Sequence, residues 1–339
     1  MKNLKSIIKV LLSLGLGVGI IIWFWSSMSE NDKAQTIDAF KRANYFWVLL
    51  APFIGFLANF LRTQRWILLL RPLNYNPSYA NTFYSVMLMY FFNLFVPRLG
   101  EIMRCTILAK YEDVPVEKSL GTMVTERIVD VLCLGVVFLL VILFLGKENY
   151  DILRASFNEA TAGFGDNIIF TIVKYAIPIL LIVAAILFSW YYIRKNGMDK
   201  LQILIRSKIK SLLSSVFSIK DIKEKPQFVL LTVAMWIAYL LMFYVNYMAL
   251  PETKSLPFFS ALVCLLFGSF AVILTPGGIG VYPIVIQLVL VTFKVNPSIA
   301  LALGMLSWSV QTLGVLVGGM LSLALINLAN KKKKVDIGA

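Results

Sequence analysis

Apolar windows of about the 20 residues needed to cross a bilayer recur near 7–26, 45–70, 119–145, 171–193, 227–250 and 298–328. Each predicts a membrane-spanning helix. Two more apolar windows, near 79–95 and 258–275, run into breaks: Val96-Pro97-Arg98-Leu99-Gly100-Glu101 and Thr275-Pro276-Gly277-Gly278-Ile279-Gly280. Proline removes a backbone donor and glycine loosens the chain, so both stop a helix that the apolar pattern would continue. Unwound backbone at membrane depth survives only where it is buried in protein or lines a wet cavity, and paired interruptions in corresponding halves point to a transport-type site.

Charge sets the sidedness of this pattern. The segment from Arg194 to Lys225 carries nine Lys/Arg against three acids, and the positive-inside rule places it in the cytoplasm with the Lys2/Lys5/Lys9 terminus and the Lys331–Lys334 run. The stretches 27–44 and 146–167 are balanced or acidic and read as external loops. Parity then requires residues 79–118 to start and finish inside and 258–295 to start and finish outside. Each is expected as a re-entrant hairpin with a break at its tip. The alternative is that 79–95 and 281–294 are full, tilted spans, which would give eight in all.

The expected fold is therefore an all-α polytopic membrane protein with about six full spans plus two re-entrant hairpins arranged as an inverted repeat. Residues 1–339 form one integral membrane domain, with a first repeat over about 1–146 and a second over about 167–330. A basic cytoplasmic loop covers 194–226 and a basic tail 331–339. The Val10–Trp25 stretch has no small-residue cleavage site after it, so an uncleaved first helix is expected.

Composition narrows the function classes. The chain is 59% hydrophobic with a net charge of +14, and its mean hydropathy is +0.80. The basic residues flank apolar runs, which excludes nucleic acid as the reason for them. With three scattered cysteines and no histidine, neither a metal site nor a cofactor is expected, and proton handling falls to carboxylates, Lys, Tyr or water. No GxxxxGK[ST] loop is present, so ATP is not expected as the direct energy source.

Charges inside the apolar windows are the candidate chemistry. Arg62 and Arg65 share one helix face. Glu126 and Asp130, four apart, share another, with Arg127 three residues before Asp130. A charge at membrane depth costs about 3 kcal/mol by insertion scales, so such groups face a bundle interior and pair. Two readings stay open: a buried ion-pair cluster that locks helices together, or a pocket in which Arg62, Arg65, Arg98 and Arg104 bind an anionic head group through paired guanidinium donors. Arg98, Glu101 and Arg104 follow at i, i+3 and i+6 after the first break, where a helix N-terminus favours an anion. The second break has no charged side chain, so Pro276, Gly277, Gly278 and Gly280 offer backbone only, as Pro97 and Gly100 do in the first. The Gly15/Gly19 and Gly314/Gly318 spacings suit close helix packing.

In Leu61-Arg62-Thr63-Gln64-Arg65-Trp66, Pro97-Arg98-Leu99-Gly100-Glu101 with Arg104, Thr125-Glu126-Arg127-Ile128-Val129-Asp130 and Pro276-Gly277-Gly278-Ile279-Gly280, the chain resembles the flippase-like membrane region of lysylphosphatidylglycerol synthetases and its stand-alone relatives. The resemblance implies handling or movement of lipids between leaflets. Tyr282-Pro283 stands where the family commonly has a glutamate, so a carboxylate role at the second hairpin is not implied here. The leading expectation is an ATP-independent translocase for an anionic lipid or lipid-linked precursor in a bacterial plasma membrane, and not an enzyme. A membrane transferase acting on a phospho- or polyprenyl lipid, or a non-catalytic partner of a membrane enzyme, are the alternatives.

Overall fold

The computed structural model describes residues 25–26, 29–96, 98–144 and 214–336. The spans expected near 7–26 and 171–193, the loop 146–167, most of the basic segment 194–226 and Pro97 lie outside the described residues or almost wholly so. Every regular element among the described residues is helical. These are α1 (Glu30–Arg42), α2 (Tyr45–Leu70), α3 (Tyr79–Phe95), α4 (Leu99–Glu112), α5 (Val116–Phe144), α6 (Lys225–Asn246), α7 (Phe258–Leu274), α8 (Val281–Thr292) and α9 (Pro297–Asp336). Four stretches, Tyr45–Leu73, Val116–Phe144, Lys225–Ala249 and Pro297–Asn330, are long and apolar enough to cross a membrane. The protein is an all-α polytopic membrane protein.

Local sequence explains where the helices start. Ser29, Asn44 and Ser78 accept backbone N–H groups at the first turns of α1, α2 and α3, and Asn296 does the same for Ser298 ahead of α9. The first of these was not expected. The stretch 27–44 reads as a loop, yet it holds a 13-residue helix with Glu30 and Asp32 in the first turn and Lys41 and Arg42 in the last, charges placed with the helix dipole.

Helix α9 works as a ruler for the rest. At one end of the molecule, Ser298 donates to Asp32 (2.9 Å), Arg42 pairs with Glu252 (2.7 Å), and the Asn44 N–H reaches the Ala249 carbonyl (2.8 Å). Phe259 and Phe293 meet there too, which sets the open base of the α7/α8 hairpin at this end. At the opposite end, Asn81 contacts Asn330 (3.1 Å), Tyr111 donates to Asn327 (3.0 Å), Glu112 accepts from the Ser78 N–H (3.0 Å), and Arg71 pairs with Glu224 (2.7 Å). The base of the α3/α4 hairpin is therefore at this second end. The two hairpins point toward each other.

Their tips touch. The indole N–H of Trp308 on α9 donates to the Gly277 carbonyl (2.9 Å), and a Cβ on Gly277 would run into Leu94 at the end of α3. At 1.5 Å per residue, α4 is about 21 Å long and α8 about 18 Å, each well short of an apolar bilayer core of about 30 Å. Gly100 lets the first hairpin close, because a Cβ there would overlap the Met89 carbonyl. The second hairpin turns on Gly277 and Gly278 at φ 58° and 76° and Gly280 at 78°. Long helix, hairpin, long helix thus occurs twice, as α2, α3/α4, α5 and as α6, α7/α8, α9. Gly314 and Gly318 pack against Pro52 and Met87, in keeping with their GxxxG spacing.

Candidate functional site

At the second end of the molecule Trp66, Leu68, Leu69, Leu70, Val86, Leu108 and Phe228 are all buried together. The charged side chains sit just inside this layer. Helical spacing puts Arg62, Arg65 and Trp66 on one face of α2 and Glu126 and Asp130 on the facing side of α5. Arg104 enters from α4 and Tyr239 from α6.

Glu126, 1% exposed, is the hub. Its Oε1 accepts from Arg62 (2.6 Å) and Arg65 (3.0 Å), and its Oε2 lies 2.9 Å from Arg104 Nη2. That last contact is off the hydrogen-bond direction, so it is a charge contact and not a directed bond. Asp130 accepts from Arg65 (2.7 Å) and Arg62 (3.1 Å). The Arg104 guanidinium also lies 3.5 Å over the ring of Trp66, whose indole N–H donates to Thr122 (3.0 Å). The Tyr239 hydroxyl accepts from Arg62 Nη2 (3.2 Å). Thr125 reaches the Val216 carbonyl (3.0 Å), tying the segment before α6 to α5.

The network carries more cation than anion. Three buried arginines, Arg62, Arg65 and Arg104, face two carboxylates, leaving one positive charge in excess. Nε and Nη1 of Arg65 and Nε of Arg104 are buried with no hydrogen-bond partner among the described residues. Buried donors are rarely left this way, because each loses its water without replacement. Toward the surface the pairing loosens: Arg127, 41% exposed, is 3.5 Å from Glu101 and 4.0 Å from Asp130. Glu101 and Asp130 are mostly shielded.

Seven of the eight expected charged residues are thus brought into one connected network, with Glu101 and Arg127 at its rim. Arg98 is not in it. It is the residue before α4, exposed, with φ at 64°, a left-handed conformation uncommon outside glycine. Arg98, Glu101 and Arg104 do not line one pocket wall: Arg104 is swallowed by Trp66 and Glu126, while Arg98 stays at the tip. Tyr239, Thr122 and Trp308 were not foreseen. A tyrosine, threonine or tryptophan in an apolar helix gives no signal until the helix facing it is known.

The model of the lysylphosphatidylglycerol synthase TM region matches residues 7–319. The chain belongs to this family. It is also similar to a UPF0104 membrane protein of Methanocaldococcus jannaschii, with 24% identity over 337 residues that cover 96% of this chain and 98% of the relative. No solved structure matches. The family motifs fall where the structure has its distinctive features: the α2 and α5 motifs form the network, and the proline–glycine motifs form the two tips. At the departure from the family pattern, Tyr282 is buried and stacks on Phe243 with ring centroids 6.1 Å apart.

Proposed function

We propose that this protein moves an anionic lipid or lipid-linked precursor between leaflets without ATP. The observation that carries the reading is the meeting of two opposed hairpins at broken backbone midway along the bundle, beside a buried network with excess positive charge. A path between leaflets needs polar backbone at mid-depth and a means of opening from either side, and paired discontinuous helices supply both. Hairpins that enter from opposite ends support an inverted repeat.

The basic residues Arg71, Lys118, Lys220, Lys223 and Lys225 gather at the end where the first hairpin has its base, so this end faces the cytoplasm and α1 lies outside. Of the carboxylates, Glu126 is held by three arginines and serves to fix the network. Glu101 and Asp130 lie nearer the rim.

The test is leaflet exchange in liposomes containing the purified protein and a panel of labelled lipids. At least one anionic lipid is expected to exchange faster without ATP and to keep its mass. A new covalent product would replace the translocase with a transferase. No exchange across the panel would leave a partner of another membrane enzyme.

A further inference from the structure

Arg98 has no place in the ion-pair network, and its position makes that consequential. It lies at the tip of the first hairpin, within four residues of Leu94, which touches Gly277 at the tip of the second. The tip is about 20 Å from the base of its own hairpin, by the length of α4, and so stands well inside an apolar core of about 30 Å. The first turns of α4 expose Ile102, and the last turns of α7, which lead into the second tip, expose Phe270, Val272 and Ile273. Nearer the base of that hairpin, Arg62, Arg65 and Arg104 are buried against carboxylates, whereas no ion pair or hydrogen bond from the described residues reaches the exposed Arg98 guanidinium. An arginine at this depth needs water or an anion, and none of the described residues supplies the anion.

We infer that Arg98 is the anchor for a lipid phosphate at the junction of the two hairpin tips, and that the buried part of the network behind it, Arg62, Arg65, Arg104, Glu126 and Asp130, is a strut that does not touch the lipid. The guanidinium fork donates two parallel N–H groups, which matches two oxygens of a phosphodiester. The loosely held Arg127 lies on the inward side of Glu101, one turn from the tip, and gives the phosphate a second cation on its way toward the cytoplasmic half. The acyl chains meanwhile stay on the apolar belt around Ile102 and Phe270. This inference rests on the translocase reading for its setting, but it concerns binding and is testable without transport.

Arg98→Gly removes the charge and suits the left-handed backbone at this position, so folding is not endangered. Arg98→Lys keeps the charge and loses the fork. Native mass spectrometry of protein in detergent with phosphatidylglycerol, with diacylglycerol and with inorganic phosphate gives occupancy, and liposomes give exchange. Expected are at least a tenfold loss of phosphatidylglycerol occupancy in Arg98→Gly, a smaller loss in Arg98→Lys, unchanged diacylglycerol occupancy and an unchanged or raised melting temperature. Phosphatidylglycerol occupancy that survives Arg98→Gly overturns the inference and returns the head group to the network. Competition by inorganic phosphate as strong as that by the lipid overturns the assignment to a lipid. Arg98-dependent occupancy without any exchange upholds the anchor while refuting the translocase.

Discussion

The two hairpins reach the same geometry by different chemistry. The first, α3/α4, carries Arg98, Glu101 and Arg104, closes through Gly100 against the Met89 carbonyl, and is bolted to α5 by the Arg104–Glu126 contact at 2.9 Å. The second, α7/α8, has no charged side chain in either helix, turns on three glycines with positive φ, and is held at its tip by one indole hydrogen bond from Trp308. Ion pairs buried in low dielectric are strongly held once formed, whereas a backbone turn of glycines with one neutral hydrogen bond is not. On this contrast the first hairpin is expected to be the more rigid of the two, and the seam between them lies at Leu94 and Gly277.

The largest effect that sharpens this contrast is expected from the hub. Glu126→Gln leaves three buried guanidiniums facing one remaining carboxylate, and a stability loss of about 3–5 kcal/mol is expected from denaturation in detergent. On the second hairpin Tyr282→Phe, whose hydroxyl makes no hydrogen bond among the described residues, should change stability by less than about 1 kcal/mol. Comparable losses for the two would erase the contrast.

Next come the turns. Gly100→Ala meets backbone, so the first hairpin must splay, and a loss of about 1–3 kcal/mol is expected. Gly277→Ala meets the flexible Leu94 side chain, and its penalty of about 1–2 kcal/mol comes chiefly from the left-handed backbone. Thermal melts of the two variants should rank in that order, and the reverse order would place the rigid element in the second hairpin.

Trp308→Phe removes the indole donor to Gly277 and is expected to cost about 1 kcal/mol. If the second hairpin is the moving part, leaflet exchange should change more in this variant than stability does. An exchange rate that simply follows the melting temperature would argue against a hinge there.

The smallest effect belongs to α1, outside the network. Hydrogen bonds from Ser29 and then Ser298 hold the Asp32 carboxyl below its ordinary value of 3.8. A lowered value means that the contact contributes fully above the ordinary value and is lost as pH falls through the lower one. The stability difference between wild type and Asp32→Asn should stay constant from about pH 8 to about pH 5 and shrink only below 3.8. A change near neutral pH would assign the titration to another group.

Periodicity and breaks made much of this legible in the sequence. Apolar length predicts the long helices, proline and glycine mark both tips, and the cost of charge at depth predicts that Arg62, Arg65, Glu126 and Asp130 pair. Three things were out of reach. Helix α1 is too polar to stand out by apolar pattern, and its contacts with Ser298 and Glu252 lie far along the chain. The fate of Arg104 depended on Trp66 facing it across two helices. Arg98 and Arg104 look equivalent by spacing, and only the left-handed residue at the tip separates an exposed cation from a buried one.

The central claim is that the hairpins enter from opposite faces and meet at their tips. A tip-to-tip disulfide tests it directly, with Leu94→Cys and Gly277→Cys combined in a chain whose Cys105, Cys133 and Cys264 are replaced by alanine. Asn81→Cys with Asn330→Cys serves as a control at the end where the first hairpin has its base. Mild oxidation in membranes should link both pairs within single chains. If α3/α4 and α7/α8 were pairs of full spans, their turns would lie at opposite faces about 30 Å apart. A control pair that links while the tip pair does not would contradict the account.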